Sequence, residues 1–466
     1  MAKKSAEKKE VASFTYQKKS VYESVSKEEV AKAFTYAEDY KKFLDICKTE
    51  REAVAESVRM CEAKGFVPFR FGDKLKVGGK YYYNNRDKNF FAFVIGSEPV
   101  SEGVRVTGAH IDSPRLDLKP VPLYEDLGMA FLKTHYYGGI RKYQWPTIPL
   151  ALHGVVIKKD GEKVSVTIGE DDRDPILYIT DLLPHLARED NNKPLGTAIP
   201  AEKLNLLIGA MPAETDADNK VKQNVLNILH DKYGIEEEDF ISAELSAVPA
   251  AKARDVGLDR SLIAAYGHDD RVCAYPALTA LLDAADQAKH TMLCILSDKE
   301  ETGSDGPSGM QCDLFVDLMD EIARFGKVSP AFLRSVSKCV SSDVSACMDP
   351  NFPEVFERSN ASLLGYGITM NKYTGSGGKY GTNDATAEYV GFIRRAMASE
   401  NVVWQIAELG RVDAGGGGTI AKYVSSHNID TIDMGVGVLS MHAPVEIVAK
   451  VDLYEAYKAF KAFDTF

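Results

Sequence analysis

The sequence predicts an α/β protein in which one α/β domain is interrupted by a β-rich inserted domain. Strand-like and helix-like segments alternate up to residue 118 and again from residue 260, whereas short alternating strands fill residues 119–259. With 466 residues and 51.2 kDa, the chain exceeds the size at which a single hydrophobic core stops growing. We therefore expect a discontinuous domain from residues 1–118 and 260–466, and an inserted domain from residues 119–259.

The first part of the discontinuous domain contains two predicted helices followed by two predicted strands. Apolar residues recur at three- and four-residue intervals across residues 28–64, and Gly65 ends the second helix. The apolar runs 90–96 and 103–110 indicate buried strands. The second of these strands ends in His110.

The inserted segment has a different pattern of apolar and polar residues from the part that follows it. Residues 152–157 and 163–168 alternate apolar and polar side chains around a Lys-Asp-Gly turn, which predicts two short strands. Local helices and loops are expected in residues 181–188 and 212–227. Strands and helices alternate again after Gly267; the predicted elements are a helix at 272–289, strands at 290–296 and 335–342, and a helix at 385–399.

The net charge and the cysteine content argue against several kinds of binding partner and indicate a cellular compartment. The formal net charge is −12, which disfavours nucleic acid and anionic membrane surfaces, because both bind clustered Lys and Arg. The seven cysteines contain no Cys-x-x-Cys pair and are odd in number, which indicates free thiols in a reducing cytoplasm. No apolar run reaches the about 18 residues needed to span a bilayer, and the N-terminus lacks the apolar core of a signal peptide.

The acidic doublet Glu300-Glu301 follows an apolar run that reads as a buried strand. Two adjacent glutamates at a strand end can divide their roles, because one can hold a metal ion while the other moves a proton. Two adjacent acids in a solvated loop are the ordinary alternative. The doublet gains weight from four other sites along the chain that can supply the missing ligands.

His110 and Asp112 are two residues apart at the end of a predicted strand. In extended backbone both side chains point to one side. One ring nitrogen of His110 can then bind a metal ion, while Asp112 orients the site. An exposed histidine paired with an aspartate on the surface is the alternative.

Three further residues can complete a metal site. Asp269, which follows a glycine and opens a helix, has two oxygens that can bridge two cations, and a helix-capping role is its alternative. Asp343 follows the predicted strand 335–342, where a turn aspartate would also be ordinary. His442 ends an apolar stretch and could equally be a core histidine.

Taken in order, these elements resemble the aspartyl aminopeptidase family of dinuclear metallopeptidases, and most closely a bacterial branch of it. The resemblance spans nearly the whole chain; its motifs are Gly108-Ala-His110-Ile-Asp112-Ser-Pro-Arg, His268-Asp269-Asp270-Arg, Lys299-Glu300-Glu301-Thr-Gly-Ser, Ser342-Asp343 and Ser440-Met441-His442. It implies a three-layer zinc-peptidase domain with a mixed central sheet, interrupted by a β-rich inserted dimerisation domain. The implied activity is the removal of N-terminal residues from peptides.

The resemblance also assigns roles to individual residues. His110 and Asp343 would hold one metal ion, Glu301 and His442 the other, and Asp269 would bridge them. Glu300 would be the general base that takes a proton from a metal-activated water and returns it to the leaving amine. The bond between Asp269 and Asp270 would be a cis peptide. Two divalent ions are implied, with zinc favoured by the mixed nitrogen and oxygen ligands, although cobalt or manganese would also fit.

Substrate contacts and assembly are likewise implied by the resemblance. Gly418 and Thr419, in a glycine-rich run, would let the substrate backbone approach closely, although a plain flexible loop is an equal alternative. His185 corresponds to a family histidine that reaches a neighbouring subunit's active site, and a buried structural histidine is its alternative. The family's enzymes build hollow dodecamers from dimers, which admit peptides but exclude folded proteins.

Two departures from the family pattern concern the substrate. Acid-preferring members carry a run with two histidines after the metal aspartate, where this chain has residues 346–351, Ala-Cys-Met-Asp-Pro-Asn. They also carry an acidic and a basic residue after a tryptophan, where this chain has Trp145-Pro-Thr-Ile-Pro-Leu. A preference for N-terminal Asp or Glu is therefore not expected to follow from the family.

Two rival functions fit parts of the same pattern. Deacylases and carboxypeptidases of related fold use the same ligand types, but their insertion is differently placed and they need an Arg for the substrate carboxylate. The interruption soon after Asp112 favours the aminopeptidase. A catalytically silent, shell-forming protein is the second rival, which the complete set of ligand positions and base argues against.

Overall fold

The computed structural model describes residues 14–216 and 218–466. The helices are α1 Val21–Ser24, α2 Lys27–Ile46, α3 Glu50–Ala63, α4 Leu195–Ala198, α5 Lys220–Tyr233, α6 His268–Ala284, α7 Leu314–Gly326, α8 Pro330–Val336, α9 Ala387–Ser399, α10 Ala421–Ser425 and α11 Lys450–Thr465. The strands are β1 Val67–Pro68, β2 Lys80–Asn85, β3 Asn89–Val94, β4 Val104–His110, β5 Arg115–Asp126, β6 Met129–Tyr137, β7 Leu150–Ile157, β8 Lys163–Ile168, β9 Leu206–Gly209, β10 Ala243–Pro249, β11 Arg254–Val256, β12 Leu262–Ala265, β13 Thr291–Ser297, β14 Lys338–Ser341, β15 Ser345–Ala346, β16 Ile368–Asn371, β17 Trp404–Ile406, β18 Asp430–Gly435, β19 Gly437–Leu439 and β20 Glu446–Ala449.

The central sheet is mixed and has nine strands in the order β1-β2-β3-β13-β4-β14-β18-β16-β17. Its middle pairs, β13 with β4, β4 with β14 and β14 with β18, are parallel. The pairs β2 with β3, β3 with β13 and β16 with β18 are antiparallel. The predicted α/β class with a mixed central sheet is therefore confirmed.

Helices cover both faces of this sheet. Alternate residues of β13 enter different cores: Cys294 and Leu296 pack in the cluster with α2, α6 and α11, whereas Leu293 and Ile295 pack in the cluster with α7 and α8. This alternation follows from the two-residue period of a strand. The result is the three-layer arrangement of helices, sheet and helices.

A separate six-stranded antiparallel sheet, ordered β8-β7-β10-β5-β6-β9, is built from residues 115–249. It has its own apolar core, which includes Trp145, Leu152, Leu206 and Phe240. The two strands predicted at 152–157 and 163–168 are β7 and β8, and they pair from Leu152↔Ile168 to Ile157↔Lys163. The sheet starts at Arg115, before residue 119, so the domain boundaries themselves stay a prediction.

A third sheet of five strands, ordered β11-β12-β20-β19-β15, connects chain segments that are far apart in sequence. Strand β12 runs antiparallel to β20, with Ala265 opposite Glu446. Because β12 leads into α6 and β20 follows the loop that carries His442, this pairing brings two predicted ligand segments together.

Most predicted elements match, with one local difference in the discontinuous domain and one in the inserted segment. The strand predicted at 335–342 is wrong at its start, because Ser329 caps the helix α8 by accepting a hydrogen bond from the Phe332 amide and that helix runs to Val336. Residues 181–188 form turns and no helix, whereas a helix does occupy residues 220–233. Within the described part of the chain, no helix is both long and apolar enough to cross a membrane.

Candidate active site

The predicted site residues converge at the carboxyl ends of the parallel strands. His110 is the last residue of β4, and Glu300 and Glu301 lie in a short 3-10 turn Glu300–Thr302 after β13. Asp343 follows β14. Carboxyl ends of neighbouring parallel strands meet at one edge of the sheet, which is where open α/β folds bind their ligands.

The remaining two residues lie next to strands of the five-stranded sheet. Asp269 lies at the start of α6, where regular helical geometry has not yet begun: its φ and ψ are −78° and 105°. The peptide bond from Asp269 to Asp270 is cis, as the resemblance implied. His442 follows β19 with a φ of 64°, in the left-handed region.

The donor atoms form two groups that share Asp269: His110, Asp269 and Asp343 in one, and Asp269, Glu301 and His442 in the other, with the atoms of each group within 4.8 Å of one another. Nε2 of His110 is 3.1 Å from Oδ1 of Asp269, and Nε2 of His442 is 3.2 Å from Oδ2 of the same carboxylate. Nε2 of His110 is also 3.8 Å from Asp343 Oδ1, and Nε2 of His442 is 3.6 Å from Glu301 Oε1. The two oxygens of Asp269 thus face different histidines.

Both histidines are held through their other ring nitrogen. Nδ1 of His110 lies 2.9 Å from the carbonyl oxygen of Asp112, and Nδ1 of His442 lies 2.8 Å from that of Gly139. A carbonyl oxygen can only accept a hydrogen bond, so each Nδ1 carries the hydrogen atom and donates it. Each Nε2 faces the carboxylates and, with an ion bound, would be the unprotonated ligand atom, which is the tautomer that metal-ligating histidines use.

The charges and the unpaired oxygens fit metal ions. Oδ1 of Asp269 and Oε1 of Glu301 are buried and have no hydrogen-bond partner among the described residues, which is costly for a carboxylate unless a cation is present. Burial raises the pKa of Glu301, and the charge of Asp269 raises it further. Burial and the charge of Glu300 likewise raise the pKa of Asp343. Divalent cations would relieve this repulsion.

Glu300 belongs to neither donor group but lies against them. Its Oε2 is 3.9 Å from Nε2 of His110. In the metal-free chain, burial and then the nearby carboxylates of Asp112 and Asp269 raise the pKa of Glu300 to about 7, with His110 acting in the opposite direction. A carboxyl that lies beside both donor groups without belonging to either is placed for proton transfer.

Asp112 fixes the loop of the doublet, as an orienting residue should. Its side chain is fully buried and accepts hydrogen bonds from the amides of Glu300 and Glu301, each at 3.2 Å, and from the hydroxyl of Tyr137 at 2.7 Å. Burial works against its ionisation, yet the hydrogen bonds from His110 and Tyr137 lower the pKa of Asp112. The Asp112 carboxylate therefore ties the doublet Glu300-Glu301 to the strand end that carries His110.

A cavity of about 460 Å³ opens over these residues. Gly418 and Thr419 line it, as predicted for substrate contact, but the Thr419 hydroxyl donates to Oδ1 of Asp433 at 2.7 Å. Gly416, in the same run, has a φ of +105° and would place a Cβ 2.5 Å from the carbonyl oxygen of Gly375. Gly416 therefore allows close backbone packing, and all four residues from 416 to 419 line the cavity.

His185 is not brought to this cavity within the chain. It lies in an exposed turn, and it is absent from the cavity lining, which is drawn from residues 269–442. The alternative of a buried structural histidine is wrong, because the neighbouring Leu183 and Leu186 are also 50% and 69% exposed. Any contact of His185 with an active site needs a second chain.

Glu446 is a site residue that the sequence analysis missed. Its carboxylate is 1% exposed and accepts hydrogen bonds from the amide of Asp269 at 3.0 Å and from the amide of His442 at 2.7 Å. One buried side chain thus sets the backbone of two ligand-bearing segments. Its only signal in the sequence is an acidic residue at the start of an apolar strand.

The fold and the paired donor groups define a metal-dependent hydrolase of the α/β class. A family model described as "Aminopeptidase I zinc metalloprotease (M18)" matches residues 43–464. The "Probable M18 family aminopeptidase 1" of Clostridium acetobutylicum is 49% identical over 446 residues, which cover 94% of this chain and 96% of that protein.

Solved structures agree with the sequence relatives. The crystal structure of an M18-family aminopeptidase from Thermotoga maritima matches with a TM-score of 0.92 and 42% identity, covering 97% of this chain and 99% of that one. A structure named as the S. cerevisiae mApe1 dodecamer matches with a TM-score of 0.75 at 21% identity, covering 92% and 96%, which shows the fold alone.

The chain belongs to the aminopeptidase I (M18) family of zinc metalloproteases. Its activity is that of a metal-dependent aminopeptidase, which decides against the deacylase, carboxypeptidase and silent-shell alternatives.

Replacing Glu446 with Gln is expected to weaken zinc binding by about 10–100-fold, the usual cost of losing a residue that orients ligands. The glutamine amide nitrogen cannot accept the second backbone N–H, so either Asp269 or His442 loses its support. Competition with a chromogenic chelator measures the change. Glu455→Gln is the matched control, because Glu455 is also 1% exposed and accepts a hydrogen bond from the amide of Val403 at 2.7 Å, and neither residue lines the active-site cavity. Equal zinc affinity in both variants would contradict the role of Glu446.

Proposed function

We propose that the enzyme is a dinuclear aminopeptidase with two divalent metal ions per subunit. His110 and Asp343 hold one ion, Glu301 and His442 hold the other, and Asp269 bridges them. The supporting observation is that the two oxygens of Asp269 face the Nε2 atoms of different histidines, at 3.1 and 3.2 Å. Zinc suits this mixture of imidazole and carboxylate ligands, and cobalt or manganese would fit the same donors.

Glu300 is the general base in this proposal. When bound, the ions supply Lewis acidity that lowers the pKa of a water and polarises the peptide carbonyl. Glu300 takes the proton of that water and later gives it to the amine that leaves. Asp112 acts as a positioning residue, because it holds the amides of Glu300 and Glu301.

The cavity favours a substrate with a free amino terminus and a neutral side chain. Five carboxylates line it, whereas Lys422 is its one lysine or arginine. A carboxylate left free of the ions can accept an ammonium group, but two divalent ions would offset most of the charge of this set, so the preference for a neutral side chain rests on the apolar part of the wall. Val344, Leu409 and Met441 offer apolar wall, and Gly418 and Thr419 border the path of the peptide backbone.

The inserted segment, residues 119–259, acts as a dimerisation domain, and dimers build a dodecamer. Its own core and sheet support a separate domain, and the dimer and the dodecamer are what the family resemblance implies. In such an assembly the exposed His185 of one subunit would reach the active site of its partner. A cytoplasmic location stays a prediction.

A panel of amino-acid p-nitroanilides tests the proposed activity. The purified protein would be treated with chelator, dialysed, and assayed with and without zinc, cobalt or manganese. We expect activity only with added metal, faster release from Leu or Met than from Asp or Glu, and no release from N-acetylated substrates. Cleavage of acetylated substrates would contradict recognition of the free amine, and faster release from Asp or Glu would contradict the neutral specificity.

A further inference from the structure

A second cavity, of about 490 Å³, has a lining rich in cations although the chain has a net charge of −12. Its charged lining residues are Arg51, Arg86, Lys88, Arg115 and Lys299, together with Glu50, Asp117 and Glu244. The lining comes from both large sheets and from α3: Lys88 lies between β2 and β3, whereas Arg115 and Glu244 are on strands of the six-stranded sheet. We call this space the basic cavity.

Three of the cations already neutralise the three carboxylates. Arg115 donates from Nη1 to Glu50 at 2.9 Å and from Nε to Asp117 at 2.7 Å. Lys88 pairs with Glu50 and, at 3.2 Å, with Glu244. Burial works against ionisation of Glu50, but Arg115 and Lys88 hold the pKa of that carboxyl well below its usual range.

Glu244 also accepts hydrogen bonds from Nε and Nη2 of Arg51, at 3.0 and 2.8 Å. With the three carboxylates engaged, Arg86 and Lys299 remain as cations without an acidic partner among residues 14–216 and 218–466. Arg86 donates from Nη1 only to the neutral side chain of Asn85, at 2.5 Å. The ammonium of Lys299 lies 5.4 Å from the ring centroid of Tyr137.

Both of these residues have left-handed backbone geometry, with φ of 62° for Arg86 and 69° for Lys299; Arg86 is exposed and Lys299 is half-buried. Guanidinium and ammonium groups bind phosphate-type oxyanions through charge-assisted hydrogen bonds, which are stronger than hydrogen bonds between neutral groups. We propose that the basic cavity binds a small divalent oxyanion, either free phosphate or the phosphate group of a small metabolite, between Arg86 and Lys299. The volume suits a ligand larger than the free ion.

Calorimetric titration of the metal-loaded full chain tests this site, with inorganic phosphate and glycerol 2-phosphate as the two probes at constant ionic strength. We expect saturable binding of at least one probe that weakens about tenfold in Arg86→Gln and in Lys299→Gln, since each variant removes one charged hydrogen bond. Lys74→Gln, which removes an exposed cation outside the cavity, is the matched control and should bind like wild type.

The variants also separate this cavity from the metal centre, where phosphate can bind as well. Phosphate held at the metals would be indifferent to Arg86→Gln, because Arg86 does not line the active-site cavity. Binding of both probes identifies a site for phosphate esters, and binding of phosphate alone identifies a site for the free ion. The absence of saturable binding of either probe, or equal affinity in wild type and both Gln variants, would overturn the proposal.

Discussion

Glu300→Gln is expected to lower kcat by about 10²–10⁴-fold, the usual contribution of a general base, while the protein keeps its full metal content. Glu300 lies outside both groups of donor atoms, and the glutamine has nearly the same shape, so the ligands stay in place. Only the capacity to accept a proton is lost. Stopped assays for activity and atomic absorption for metal content measure the two effects in one preparation.

The neighbouring residue provides the control for this division of roles. Glu301→Gln removes a donor from the group formed with Asp269 and His442, so it should lose metal as well as activity. If Glu300→Gln lost as much metal as Glu301→Gln, then Glu300 would be a ligand and the assignment of the base would be wrong.

His442→Ala is expected to lower the metal content from two ions per chain to one and to remove nearly all activity. Nε2 of His442 is the only nitrogen in its donor group, next to the carboxylates of Asp269 and Glu301. The other group keeps His110 and Asp343, so one ion should remain bound. Metal analysis after dialysis against a weak chelator measures this change.

His427→Ala is the matched control for His442→Ala, since His427 is a half-buried histidine outside both donor groups. It should keep two ions and normal activity. Retention of two ions by His442→Ala would show that the second site lies elsewhere.

The segments of the predicted ligands could be placed from the sequence, because each ends or follows a strand or opens a helix whose pattern is local. The apolar run before Glu300 and the strand ending in His110 are examples, and both elements are present. From the residues alone, however, each ligand had an ordinary alternative, and only their order, through the family resemblance, joined them into one site.

The supporting contacts could not be predicted, because they depend on distant pairings. The hydrogen bond from the Asp269 amide to Glu446 joins residues 177 positions apart and exists because β12 pairs with β20. Gly139 supports His442 across 303 positions. At short range, the cap at Ser329 replaced the start of a predicted strand with a helix, which shows that one capping residue can outweigh a strand-like pattern.

Anomalous scattering at the zinc edge, from crystals of the zinc-loaded protein, tests the central claim most directly. We expect two peaks that share the carboxylate of Asp269, one beside His110 and Asp343 and the other beside Glu301 and His442, with Glu300 bound to neither. A single peak, or a peak coordinated by Glu300, would contradict it.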